Sequence, residues 1–231
     1  MLQFFPLLFS AGLLFLLTIV TGLLPFAQAP MLAGQGVLYD GIASTGAANL
    51  VTAVVLGYRG IDTLMELTIL FAAAAAGSLA FSRVRRSAGL IAEPPYILDK
   101  AIGFLLPLLL VTGFYVILHG HLTPGGGFQG GVLLASAIFL PVLSRSSAQL
   151  NHEVISLIEG LAGVTFIVIG LLALYQQGAF LQPLFDHGVF GSLLSAGSLP
   201  VLYLAVGLKV GAELAGLLST LAAEGGEDGT A

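Results

Sequence analysis

Cysteine is missing from the 231 residues, and charged side chains make up only 8% of them. The first absence excludes disulfides, thiolate metal sites and iron–sulfur clusters within this chain. The second excludes a water-covered exterior, because soluble globular domains carry about 25% charged residues. With 57% hydrophobic residues and a mean hydropathy of +1.03, lipid must cover most of the surface. Net charge is −5 and no basic stripe occurs, so nucleic-acid binding has no electrostatic basis. The glycine run Gly125–Gly131 is not followed by Gly-Lys-Ser/Thr and follows no βαβ strand, which removes phosphate-loop and dinucleotide readings. No nucleophile–base arrangement can be assembled, so the chain reads as a non-catalytic protein that uses no cofactor of its own. No internal repeat relates its two halves, which counts against an inverted-repeat transporter working alone.

What the chain does have is long apolar runs. A spanning helix needs about 20 such residues. By that measure the fold is all-α, a polytopic transmembrane bundle of seven spans in a three-plus-four arrangement. The runs are Phe4–Leu24, Ile42–Leu56, Thr63–Phe81, Ile97–Leu118, Gln129–Leu143, Val154–Tyr175 and Leu194–Leu221. The second is short, and either begins nearer Val37 or is broken at Gly46. The fifth is short unless the glycine segment before it also enters the membrane. Phe4–Leu24 lacks a basic n-region and a good cleavage site, so it reads as a retained helix rather than a signal peptide. Arg83, Arg85, Arg86, Lys100 and Arg145 fall on one side of the bilayer and Arg59 on the other. The positive-inside rule makes the basic cluster cytoplasmic, with the N-terminus outside and the acidic C-terminal tail inside a cell membrane. Composition breaks once, over Ser82–Pro95. That break separates an N-terminal three-helix part (residues 1–88) from a four-helix part (89–221), with a tail at 222–231.

Ionisable groups inside a bilayer cost several kcal/mol unless paired or hydrated, so each is a candidate for function. Asp62 and Glu66 lie four apart and share a helix face. Asp62 also suits a helix cap beside Arg59. Glu66 lies a full turn further in, where it serves either an ion route or a structural pair. Lys209, near the middle of the last run, has Glu213 four residues on; this pair too is either a relay or purely structural. Glu159, His152 and His187 carry less information. His119 and His121 are two apart, a spacing that does not suit zinc, and their roles are interfacial hydrogen bonding or proton entry. Glycine and proline at Gly120 and Pro124–Gly131 would be poor choices for insertion alone, and irregular backbone near a membrane must be buried by protein or lined by water.

Two motifs carry a resemblance. His119-Gly120-His121-Leu122-Thr123-Pro124-Gly125-Gly126-Gly127-Phe128-Gln129-Gly130-Gly131, with Ser195–Pro200 and Ala205–Gly211, is similar to the B subunit (MnhB-like) of Mrp-type multisubunit Na+/H+ antiporters. The similarity spans about Pro95 to Leu221. Gly57–Thr68, with its Arg-Gly-x-Asp-Thr-x-x-Glu pattern, resembles the C-terminal end of the large A subunit, which also occurs as a small separate subunit in membrane-bound hydrogenase-type complexes. The resemblance implies a fusion of two neighbouring pieces in a hetero-oligomeric antiporter, or in the membrane arm of a redox complex. Partners would be the other subunits, lipid, Na+ and H+. It implies ion-pathway roles for Asp62, Glu66, His119, His121, Lys209 and Glu213. Arg59, Pro124, Gly125, Gly126, Gly127, Phe128, Gln129, Gly130 and Gly131 would form the structural motifs.

Overall fold

The computed structural model describes residues 4–23, 32–81, 96–144 and 150–222. The Ser82–Pro95 break with its arginines, Arg145 and the acidic tail lie outside the described residues. Every described element is helical: α1 (Phe4–Leu23), α2 (Leu32–Thr45), α3 (Leu50–Thr52), a π-helical stretch (Ala53–Tyr58), α4 (Gly60–Phe81), α5 (Tyr96–Leu118), α6 (Gly127–Ser144), α7 (His152–Gln177) and α8 (Leu199–Ala222). The chain divides into two compact units, Met1–Gly36 and Val37–Ala231. α1 belongs to the first and α3 to α8 to the second.

The all-α architecture agrees with the apolar runs, but the count of spans does not reach seven. Four described stretches are long and apolar enough to cross a bilayer: Gly60–Ala80, Asp99–Leu118, His152–Gln177 and Leu199–Leu221. A bent pair, Gly34–Thr45 with Leu50–Tyr58, makes a fifth if taken as one broken span, while Ser10–Leu23 and Gly127–Val142 are apolar but shorter. Of the two alternatives for the Ile42–Leu56 run, the break at Gly46 is the one seen, and the two pieces meet at 95°. Its cause is local. Gly46 adopts φ +68 beneath the His187 ring, where an added Cβ would lie 2.8 Å from His187 Cβ. Asn49 then caps the next helix, its Oδ1 accepting from the Val51 N–H at 3.1 Å. At the other end of the chain, the run from Leu194 becomes helical only at Leu199, because Ala196 and Gly197 take φ of 66 and 61 in a turn.

α8 is the central element and packs against α6, α7, α4 and α5. Of its span 56% is buried within the chain, against 11%, 17% and 22% for the spans of α4, α5 and α7. Those three helices thus leave most of their surface for lipid or neighbouring subunits. The core holds Leu56, Leu67, Ile117, Leu134, Phe166, Leu202, Val206 and Val210. α7 is well delimited: the Asn151 side chain accepts from the N–H groups of Glu153 and Val154, and Gly178 closes it in the left-handed region.

Candidate functional site

Lys209 lies ten residues into α8, about 15 Å from its start at 1.5 Å per residue. Its ammonium pairs with Glu213 on the same helix, and Glu159 of α7 stands 3.7 Å away. The Lys209 side chain is 13% exposed, Glu159 22% and Glu213 1%. Phe71 of α4 presents its ring to the ammonium, with Nζ 5.2 Å from the centroid. One carboxylate oxygen, Glu213 Oε2, is buried without a hydrogen-bond partner. Beside this triad opens a cavity of about 260 Å3 whose polar lining includes Ser78, His152, Ser156, Glu159, Glu213 and Thr220. These residues come from the C-terminal half of α4, the start of α7 and the last turns of α8. Glu159 and Glu213 of the ionisable cluster are thus both among the residues that line this cavity.

A second cavity, about 320 Å3, lies at the opposite end of α7, lined by Ser44, Gln177, Gln182, Asp186 and His187 among others. The glycine segment gathers at that end too. Gly120 O accepts from Asn49 Nδ2 at 2.8 Å and from Thr52 Oγ1 at 2.7 Å, and Tyr203 of α8 donates to Thr52 Oγ1 at 2.8 Å. Asn49 also donates through Nδ2 to Thr123 O and through its backbone N–H to His121 O. The break between α2 and α3 is thus clasped to the α5–α6 loop, and both to α8. Glycine is required for the approach. A Cβ on Gly127 would lie 2.6 Å from Val206 Cβ, on Gly130 2.7 Å from Gly113 O, and on Gly131 2.8 Å from Gly207 O. Gly125 and Gly126 take φ of 147 and 136, a region that suits glycine. Phe128 packs against the core, whereas Gln129 and Pro124 are exposed.

The remaining sequence candidates are spread out. α4 begins at Gly60, so Asp62 sits in its first turn instead of capping it and pairs with Arg59 at 2.5 Å. Thr63 donates to Val55 O at 2.7 Å, satisfying a carbonyl of the π-helical stretch. Glu66 is exposed on α4 and has no ion-pair partner among the described residues. It does not join Lys209: Phe71 and Glu66 are five residues apart, about 140° around the helix. His119 stacks on Tyr115, with its Nδ1 3.1 Å from Tyr115 O. His121 is fully buried. Its Nε2 lies 3.4 Å from Ser192 O, and because a carbonyl only accepts, Nε2 carries the proton and the unpartnered Nδ1 is a bare lone pair. Burial pushes the His121 pKa below its ordinary value of 6.5, with nearby His119 adding to the effect against the Ser192 hydrogen bond. Among the described residues, no three His, Asp or Glu side chains converge to hold a metal ion. The sequence reading left Glu159 undecided and passed over Phe71, Asn49, Thr52 and Tyr203. Each meets its partner across separate elements, and only Asn49, a polar residue in the middle of the Ile42–Leu56 run, carried any local signal.

A multi-pass helical membrane protein with a largely buried ion pair beside a polar-lined cavity is the class these features define. Residues 97–216 match the family described as "Domain related to MnhB subunit of Na+/H+ antiporter". The chain belongs to that family. An uncharacterized protein of Methanocaldococcus jannaschii is 31% identical over 196 residues, covering 73% of this chain and 74% of the relative. A Staphylococcus saprophyticus protein described as antiporter subunit mnhB2 is 36% identical over 85 residues, covering 32% of this chain and 60% of that protein. Two solved assemblies contain chains of like structure. One is the membrane-bound sulfane sulfur reductase, an archaeal respiratory membrane complex, with a TM-score of 0.79 and 34% identity over 96% of this chain and 98% of that one. The other is the Mrp complex from Dietzia sp. DQ12-45-1b, with a TM-score of 0.71 and 25% identity over 97% of this chain and 26% of that one.

Proposed function

We propose that this protein is a membrane subunit of a multisubunit cation/proton antiporter, in which Lys209, Glu213 and Glu159 form a polar station on an ion route. The observation that carries this reading is the Lys209 ammonium held between two glutamates at the edge of a polar cavity, in a chain of the MnhB-related family. Charges kept at that depth are costly unless water or a partner reaches them. The positive-inside rule puts the stretch after α4 on the cytoplasmic side, so the cavity beside Ser78, His152 and Thr220 opens inward. The N-terminus and the glycine clasp then face outward. Glu66 points away from the chain's own core and meets a neighbouring subunit rather than lipid. Residues 1–88 and 89–221 act as two neighbouring antiporter pieces joined in one polypeptide.

The test is Na+-dependent proton movement in vesicles that contain the whole assembly. Glu66→Ala and Lys209→Ala each abolish it while the subunits still copurify; normal transport by both variants would make the stations structural. A second reading is favoured by the 34% identity to nearly the full length of a chain in the sulfane sulfur reductase complex. In that case this module couples ion movement to redox chemistry on other chains. Copurifying iron–sulfur or nickel-bearing subunits distinguish it.

A further inference from the structure

We propose that the turn Val189–Leu194, between α7 and α8, is an interfacial membrane anchor that sets its apolar side chains into the phospholipid leaflet at that end of the bundle. This contact is independent of the ion route. The turn is inside-out for a loop in water. Leu194 is 84% exposed and Val189 76%, with Phe190 and Leu193 also turned outward, while Ser195, Ala196 and Ser198 just after them are fully buried. The backbone holds the apolar groups out. Gly188 and Gly191 take φ of 64 and 82, and the Ser192 N–H donates to Val189 O at 3.0 Å. Ser195 Oγ donates to Ser192 O at 2.7 Å, and the Ala196 N–H to His187 O at 2.9 Å. Exposed apolar groups gathered this closely mark a membrane or protein contact.

Depth and chemistry select lipid. The span of α7 has 26 residues and that of α8 has 23. At 1.5 Å per residue these reach about 39 and about 34 Å, against a hydrocarbon core of about 30 Å. The connection from Gln177 to Leu199 therefore leaves and re-enters at headgroup level, where exposed Tyr175 supplies an aromatic of the kind found at membrane interfaces. A protein interface carries about one hydrogen bond per 100–200 Å2 and is enriched in Tyr, Trp, Met and Arg. The Val-Phe-Gly-Ser-Leu-Leu run has none of these residues, and its one hydroxyl, that of Ser192, belongs to a half-buried side chain. Lipid requires no hydrogen bonds of it. On the inner side, Ser192 O lies 3.4 Å from His121 Nε2 and His187 covers Gly46, so the anchored turn bears directly on the glycine clasp.

The test places the photoreactive residue p-benzoylphenylalanine at position 190 or 194, one at a time, in the whole assembly reconstituted into phosphatidylethanolamine–phosphatidylglycerol vesicles. Its excited ketone inserts into C–H bonds of whatever lies against it. After illumination and delipidation, the mass of this subunit is measured. At both positions it is expected to rise by one phospholipid. A covalent pair of subunits at either position would show a protein interface instead and overturn the proposal. An unaltered mass at either position would place the turn in water and overturn it equally. If the Phe190 variant fails to assemble, position 189 takes its place, since Val189 stands further out from the fold than Phe190. Loss of transport in Lys209→Ala has no bearing on these masses, so the anchor and the ion route stand or fall separately.

Discussion

Replacing Thr52 by valine removes two hydrogen bonds while keeping the side chain's shape. Thr52 is fully buried, donates to Gly120 O at 2.7 Å and accepts from Tyr203 OH at 2.8 Å. Gly120 O keeps Asn49 Nδ2 as a donor, so its loss is about 1 kcal/mol. The Tyr203 hydroxyl is worse placed. Left without an acceptor in a buried site, it costs about 1–3 kcal/mol. Together Thr52→Val should destabilise by about 3 kcal/mol, whereas Tyr203→Phe leaves Thr52 its bond to Gly120 and costs about 1 kcal/mol. The double variant has no orphaned hydroxyl and should fall short of the sum by about 1–2 kcal/mol. The assay is the temperature at which this subunit leaves the purified assembly, where about 1 kcal/mol corresponds to roughly 2–4 °C for a chain of this size. Thr52→Val is expected to lower that midpoint by roughly 6–12 °C. Strict additivity of the two single changes would refute the coupling of Thr52 to Tyr203 and, with it, the clasp as drawn.

Gly131→Ala should destabilise by about 1–3 kcal/mol, because the methyl meets the Gly207 carbonyl, which cannot yield unless α6 and α8 separate. Gly103→Ala is the control: its Cβ meets nothing within 4 Å, so the same thermal measurement should show no loss. His121 gives a pH dependence. Its folded-state pKa lies below the ordinary 6.5, so the unfolded chain binds the proton first as pH falls. Stability is therefore full above about pH 6.5 and declines below it, through the lowered folded-state value; His121→Gln should flatten the acid limb of the midpoint-against-pH curve, and an unchanged limb would show that another group sets it.

How much of this was legible in the sequence depended on whether a feature was local. The long apolar helices α4, α5 and α7 lie within a few residues of the runs that announced them, since hydropathy and caps such as Asn151 act over one or two turns. Lys209 and Glu213, four apart on one helix, were visible as a pair for the same reason. The glycine motif pointed to tight packing, and the contacts of Gly127, Gly130 and Gly131 have that form. What escaped notice arises between helices. A break at Gly46 was one of the alternatives, but its 95° angle and the His187 ring from a distant loop were not visible, and Glu159 joins Lys209 only once α7 lies against α8. A shared role for Glu66 and Lys209 could be suggested from their depth, yet helical geometry turns the two toward different neighbours. Basic residues outside the described segments left orientation to the positive-inside rule.

The hydrogen-bonded meeting of Asn49 and Thr52 with the Gly120 carbonyl has a further consequence for assembly. Its two sides come from stretches separated in sequence by the basic connector, so a single polypeptide brings them together by an intramolecular encounter. Were the same two pieces made as separate proteins, each carbonyl and amide contact would also have to offset the entropy of association. Joining them relieves the interface of that task, so this chain can tolerate a weaker seam than a two-protein version and still reach the complex with both halves in fixed proportion.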